Sequence, residues 1–345
     1  MFLADNEHVI VMNIPDKKWG VPFNLDDYKR LRDEAGVTVI HDYIYWDQIE
    51  KKSKHPRRDW EIVEGQVKMA RDAGMKVMFM SPISVPRYLN PDWYSAYLDY
   101  SPYMGILSFW NMEARRYQQD FLQEFMDRFT ADDVTICYTG YLGEHYLWNT
   151  PVYGDRAAVE AWEKKVGKST KLATQGTETE ITQELREFIR DGVVDHLCAM
   201  QDILVKQHNE TYDTTQPGIA NQSLFNGSFA QPDVFKAYQK RYPTADRFYI
   251  SYTYWACGHG NGAVIDKMME ETGTQLIVEA AFCEGLAGQS PEMAIEGGYH
   301  KKNPHLWRGQ VVAPLHRFTG HKHLETWMLE AIKRAINVWR EARCK

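Results

Sequence analysis

The feature that most constrains this chain is a repeated alternation. Short apolar runs rich in β-branched and aromatic residues are each followed by a longer segment with helical spacing. His8–Ile14 (HVIVMNI) reads as a first strand, with a helix near Asn24–Ala35 ending at Gly36. Val37–Trp46 is a second strand, and Asp59–Ala73 a helix with Ile62, Val63, Val67 and Ala70 on one face, closed by Gly74. Met75–Met80 is a third strand, stopped by Ser81-Pro82; Asn111–Phe129 is an amphipathic helix, and Val134–Thr139 a fourth strand. Gln183–His208 has the spacing of one long helix, and Glu210–Thr214 is a weak strand candidate. Pro232–Arg241 is a short helix, Arg247–Thr253 a sixth strand, Ala263–Glu271 a helix and Gln275–Ala281 a seventh strand. Gln310–Leu315 and a helix from His321 to Arg340 close the series.

Such alternation argues for a parallel sheet flanked by helices. Eight units in a chain of 345 residues suit an α/β fold, a (β/α)8 TIM barrel, forming one domain over 1–345. The rival is an open doubly wound sheet. It would carry a Gly-rich phosphate turn after the first strand, and MNIPDKKWG has none. Residues 151–182 form an excursion after the fourth strand, with Lys165–Glu180 polar and rich in Gly and Thr.

Composition removes several functional classes. A net charge of −7 argues against a nucleic-acid binder, which needs a basic stripe. No run approaches the ~18 apolar residues of a membrane span, and the N-terminus lacks a signal-peptide pattern, so a cytoplasmic chain with no membrane partner is expected. The five cysteines are widely spaced and odd in number, which reads as free thiols rather than disulfides or a zinc site. His316, His321 and His323 lack the accompanying carboxylate spacing of a metal site. No cofactor and no metal are expected. The oligomeric state is left open, a homo-oligomer included.

Working residues of a barrel sit at the C-terminal ends of its strands. That rule selects Asn13 after strand 1; Asp42, Tyr43, Tyr45 and Trp46 at strand 2; and Arg87 after strand 3. Strand 4 leads to Tyr141, Glu144, His145 and Trp148; strand 6 to Tyr252, Tyr254 and Trp255; strand 7 to Glu279 and Glu284. Aromatics and carboxylates dominate. Aromatic rings stack on the C–H faces of sugars, and chemistry at an anomeric carbon needs two facing carboxyl groups. Glu144, among tyrosines just past an apolar strand, suits a general acid whose pKa is raised by desolvation; its bland alternative is a loop carboxylate paired with Arg87. Glu279 interrupts LIVEAAF, and a buried charge costs several kcal/mol unless paired or used. A structural ion pair is its alternative, and Glu284 is the competing nucleophile.

The stretch GVTVIHDYIYWDQIEKK…RRDWEIVEGQVKMARDAGMKVMFMSP resembles the strand 2–helix 2–strand 3 region of clan-A glycoside hydrolases, most nearly the family 42 β-galactosidases. AAVEAWEKKVGK is similar to their helical insertion past the acid/base residue, and IVEAAF stands where their strand-7 nucleophile lies. The resemblance implies a retaining glycosidase acting on carbohydrate, with Glu144 as acid/base and Glu279 as nucleophile. A glycosidase-like transferase and a non-catalytic carbohydrate-binding barrel are the alternatives. The chain departs from the clan at Gly143, where an Asn ordinarily precedes the acid/base Glu, so galactose specificity is not carried over.

Overall fold

The computed structural model describes residues 2–3, 9–13, 23–50, 58–83, 85–96, 102–129, 131–138, 154–167, 183–213, 235–252, 269–282, 307–314, 324 and 326–343. Numbered along the chain, the strands begin with β1 (Val9–Asn13), β2 (Val39–Tyr45) and β3 (Lys76–Ile83). A hairpin of β4 (Tyr94–Ala96) and β5 (Pro102–Leu107) follows, then β6 (Val134–Tyr138), β7 (Glu210–Asp213), β8 (Asp246–Tyr252), β9 (Gln275–Phe282) and β10 (Trp307–Pro314). All but the hairpin pair in parallel into a closed barrel, β1-β2-β3-β6-β7-β8-β9-β10, with β10 back against β1. The expected (β/α)8 barrel is therefore the fold. Strand β7 meets β6 through the single register pair Tyr138–Asp213 but pairs with β8 along its whole length.

Local sequence explains the helix ends. Helix α1 (Leu25–Ala35) starts with a capping box in which Asn24 and Asp27 satisfy each other's backbone N–H, and stops at Gly36 in the left-handed region (φ 72°). Further along are α2 (Trp46–Ile49), α3 (Glu61–Asp72), α4 (Met112–Phe129), α5 (Arg156–Val166), α6 (Gln183–His208) and α7 (Thr326–Arg343). Shorter helical segments occupy 235–241 and 269–272. Part of the expected excursion is thus ordered as α5, capped by Asp155, whose side chain accepts the Ala158 N–H. Among the described residues no helix is long and apolar enough to cross a membrane.

Three expectations need correction. β3 does not stop at Ser81-Pro82 but runs to Ile83. Pro82 lacks an N–H, and it falls where the β2–β3 register shifts between Tyr43 and Tyr45, so no ladder bond is lost there. Ile62 is 44% exposed, one step off the buried stripe of Val63, Val67 and Ala70. The last helix begins at Thr326, not His321.

Apolar residues divide into two shells. The outer shell lies between barrel and helices and takes Ile40 and Ile44 of β2, Val77 and Phe79 of β3, and Val134 and Ile136 of β6. The inner shell fills the lumen with Val39, Met78, Met80, Cys137, Tyr212, Phe248 and Ile277. Phe2 and Leu3 join that inner cluster. Phe2 N–H donates to the Glu210 carboxylate at 3.0 Å, and Lys76 Nζ donates to the Phe2 carbonyl at 2.6 Å. These contacts close the floor of the barrel.

The outer shell holds a tight contact at Gly192 of α6. A Cβ there would come within 2.4–2.8 Å of the Trp110 indole, which is stacked on Phe188 at 5.3 Å. Alanine is a better helix former than glycine by about 1 kcal/mol, but overpacking costs about 1–3 kcal/mol. Gly192→Ala is predicted to lower the unfolding free energy, measured in urea, by up to about 2 kcal/mol; a stabilised variant would contradict this packing.

Candidate active site

Strand parity decides what the barrel presents to a ligand, because successive residues point to opposite faces. On β2, Val39 lies in the lumen cluster and Tyr43 and Tyr45 pack against it. His41 shares this face, with its ring 5.8 Å from that of Tyr43, which in turn is 6.4 Å from Tyr45. The result is a ladder of three rings rising toward the C-terminal rim. Tyr43 is half-buried on the lumen face.

The same parity moves two other candidates out of the lumen. Asp42 is fully buried and faces α1, accepting a long 3.5 Å bond from the Tyr28 hydroxyl and a 3.0 Å bond from the Tyr43 N–H. Trp46 opens α2 and is buried in the outer shell, 4.8 Å from the Phe121 ring, its indole donating to Glu50 at 2.6 Å. Both side chains are framework, held in place by the helices. Asn13 ends β1 in register with Asp42 and so occupies the same sheet face. Arg87 is exposed beyond β3.

Three strands around the barrel from β2, through β1 and β10, Glu279 is the fifth residue of β9, in register with Tyr252 on β8 and Val311 on β10. Ile277, two residues earlier, is in the lumen cluster, and so is Phe248, four residues before Tyr252. Paired residues of a parallel ladder share a face, so both strands place Glu279 and Tyr252 at lumen positions. Glu144, Tyr141, His145, Trp148, Tyr254, Trp255 and Glu284 lie outside the described residues.

His41 was missed by the sequence reading although its signal was present, in phase with Tyr43 and Tyr45. It is completely buried, and neither ring nitrogen has a hydrogen-bond partner among the described residues. Desolvation drops its pKa from 6.5 to about 3, which holds the imidazole neutral.

A second concave feature lies at the rim. A cavity of about 700 Å³ is bounded by the turn carrying Arg87 and Leu89, by Tyr94–Ala96 of the hairpin, and by Gly154–Glu160 at the start of α5. Its walls are tied together. The Tyr94 hydroxyl donates to the Pro86 carbonyl and accepts from the Leu89 N–H. Gly154 N–H donates to the Ala96 carbonyl at 2.7 Å. Asp155 Oδ1 accepts from Ser108 Oγ at 2.6 Å and from the Ala158 N–H at 3.1 Å. Among the described residues no further hydrogen bond is made to Oδ2, and burial pushes the carboxyl pKa up against these donors. Among the described residues no three His, Cys, Asp or Glu side chains gather to hold a metal ion.

Comparison with solved structures returns the same architecture on sugar-acting enzymes. A β-amylase catalytic domain from Paenibacillus polymyxa matches with a TM-score of 0.68 over 99% of both chains at 12% identity. A β-galactosidase from the psychrophilic Marinomonas ef1 matches with a TM-score of 0.63 at 15% identity, covering 97% of this chain but 59% of that one. An endo-glycoceramidase II from Rhodococcus sp. gives 0.51 at 14% identity, over 96% and 80%. No protein-family model matches the chain, and no curated protein does. What is shared at these identities is the barrel.

The buried imidazole predicts an acid-sensitive fold. The unfolded chain binds a proton at this histidine near 6.5, while the folded chain refuses it until about 3. Between those values the unfolded state holds more protons, so stability falls as pH drops; above 6.5 the group contributes no pH dependence. The expected slope is about 1.4 kcal/mol per pH unit for this residue. His196, also buried with its pKa well below normal, adds a slope of the same sign. Urea titrations between pH 7 and 4 should show His41→Gln with a shallower decline than the parent chain. Parallel curves would contradict the assignment.

Proposed function

We propose that residues 1–345 form one catalytic barrel that hydrolyses glycosidic bonds with retention of anomeric configuration. Glu279 is the nucleophile and Glu144 the acid/base. The observation that carries this reading is the placement of Glu279. A carboxylate-bearing residue occupies a lumen position of β9, in register with Tyr252, in a barrel whose floor is closed by Phe2 and whose β2 face carries Tyr43 and Tyr45. A charge at such a position is costly unless it is paired or used. The clan-A resemblance of the flanking sequence supports the same assignment, and the glycosidase barrels of similar shape share the fold.

The chemistry is a double displacement. A lone pair of the Glu279 carboxylate attacks the anomeric carbon as Glu144 gives its proton to the departing oxygen. Glu144, now ionised, takes a proton from the water, or from an acceptor sugar, that displaces Glu279. Retention needs the carboxyls about 5–5.5 Å apart, and inversion about 6.5–9.5 Å. Tyr43, Tyr45 and Tyr252 supply the aromatic walls; Tyr141, His145, Trp148, Tyr254, Trp255 and Glu284 are assigned to the rim that holds the sugar. A carbohydrate substrate is the proposed partner, and the proposed location is the cytoplasm.

Glu144→Gln and Glu279→Gln are each predicted to reduce kcat on aryl glycosides by about 10²–10⁴-fold without lowering Tm. NMR of the first-formed product should show the substrate's own anomer. Either variant turning over near the parent rate would remove that residue from the mechanism, and an inverted product would exclude the double displacement.

A further inference from the structure

We infer that the barrel lumen carries a site for a soft monovalent metal ion, copper(I), held by His41 of β2 and by Met78 and Met80 of β3. Such a site stands apart from the glycosidase chemistry and does not require it. His41 is the group that ordinary core packing leaves unexplained. It is fully buried, yet neither ring nitrogen has a hydrogen-bond partner among the described residues. A polar group buried in that state costs free energy that an apolar residue of similar size would not. The lumen neighbours on its own strand, Val39 and Tyr43, show that an apolar or aromatic side chain is accommodated on this face.

Register places two thioethers beside the imidazole. His41 pairs with Met78 across the β2–β3 ladder, and Tyr43, the next lumen residue, pairs with Met80. Met78 and Met80 are two apart on one strand and so share a face; both are buried in the inner cluster. Neighbouring strands run about 4.8 Å apart, and alternate residues of one strand about 6.6 Å apart. The three Cα atoms therefore form a compact triangle that the side chains can close on one ion. Methionine suits the task, because its unbranched, freely rotating chain can swing the sulfur to a partner. The Tyr43 ring, 5.8 Å from that of His41, adds an aromatic face of the kind that favours a cation.

The donor set selects the ion. Thioether sulfur with imidazole nitrogen suits copper(I), whereas magnesium and calcium take oxygen ligands. Zinc is disfavoured on two counts. All three donors are neutral, so a divalent ion would bury twice the uncompensated charge. Among the described residues, moreover, no three His, Cys, Asp or Glu side chains gather to hold one. Uptake forms dative bonds from one imidazole nitrogen and two sulfurs, and no electron is transferred. Tyr43 and Tyr45, nearer the C-terminal rim, are only half-buried, which gives the ion an approach from that end. Cys137 pairs with Met80 on the other flank of β3 and belongs to the same inner cluster. Its thiolate is the rival ligand.

The test is anaerobic competition for copper(I) between the whole chain and the chelator bicinchoninate, after accessible thiols have been alkylated in the folded protein. The chain should withdraw a single ion, and X-ray absorption should show a shell of one nitrogen and two sulfurs. Binding to the folded state alone should also raise Tm. Met78→Leu and Met80→Leu nearly conserve core volume. Each should weaken binding by about tenfold or more, as should His41→Gln, in proteins whose circular dichroism matches the parent. Cys137→Ser should leave the affinity unchanged, and excess zinc(II) should not displace the copper. Failure to take copper from the chelator, uptake indifferent to both methionine substitutions, displacement by zinc, or loss of the site with Cys137 would each overturn the assignment.

Discussion

A strand buried on both faces can offer a ligand only every second residue, and the rest of this structure depends on that constraint. Barrel closure fixes which residues those are. Once β10 pairs with β1 and every neighbour is in parallel register, the inward set on one strand determines the inward set on the next. Val39 on β2 and Met78 on β3 lie inside, Ile40 and Phe79 outside. The same alternation carries Glu279 to the lumen face with Tyr252 and carries Asp42 to the helices with Asn13.

The frame around this lumen is built to hold it still. At the floor, Glu210 accepts from both the Phe2 N–H and the Tyr212 hydroxyl, so burial of the carboxylate is offset by two donors. At the side, Glu50 accepts from Trp46 and is bridged to Arg58 at 3.2 Å, which also reaches Glu124. Arg58 lies over the Tyr117 and Phe121 rings as well. Two side chains selected as sugar contacts by their type, Asp42 and Trp46, therefore serve the packing that positions the strand ends. At the rim, Ser108 and Asp155 join the hairpin's exit to the start of α5.

Much of this was legible in the sequence because long-range architecture was written in local periodicity. The α1 boundaries follow from Asn24 and Gly36, and α6 appears over the span its spacing indicated. Parity on β2 was harder to read. Apolar residues occupy both faces of a doubly buried strand, so VIHDYIY offers no clean alternation, and an acidic residue near the strand's end looked more functional than the histidine beside it. The β4–β5 hairpin escaped for a related reason. PYMGIL carries a proline and a glycine, both poor strand formers, and tertiary contacts such as Ser108 N–H to the Trp93 carbonyl hold it in place. Asp155 was not singled out in the sequence, where nothing local signals that Ser108 of the hairpin's exit packs against it.

The account's central claim is that two glutamates remote in sequence face one another over a single bond at the open end of the barrel. A crystal structure of the chain reads this directly as the distance between the Glu144 and Glu279 carboxyl groups. A separation of about 5–5.5 Å is predicted. Carboxyls on opposite sides of the barrel wall, or too far apart to share one sugar, would contradict it.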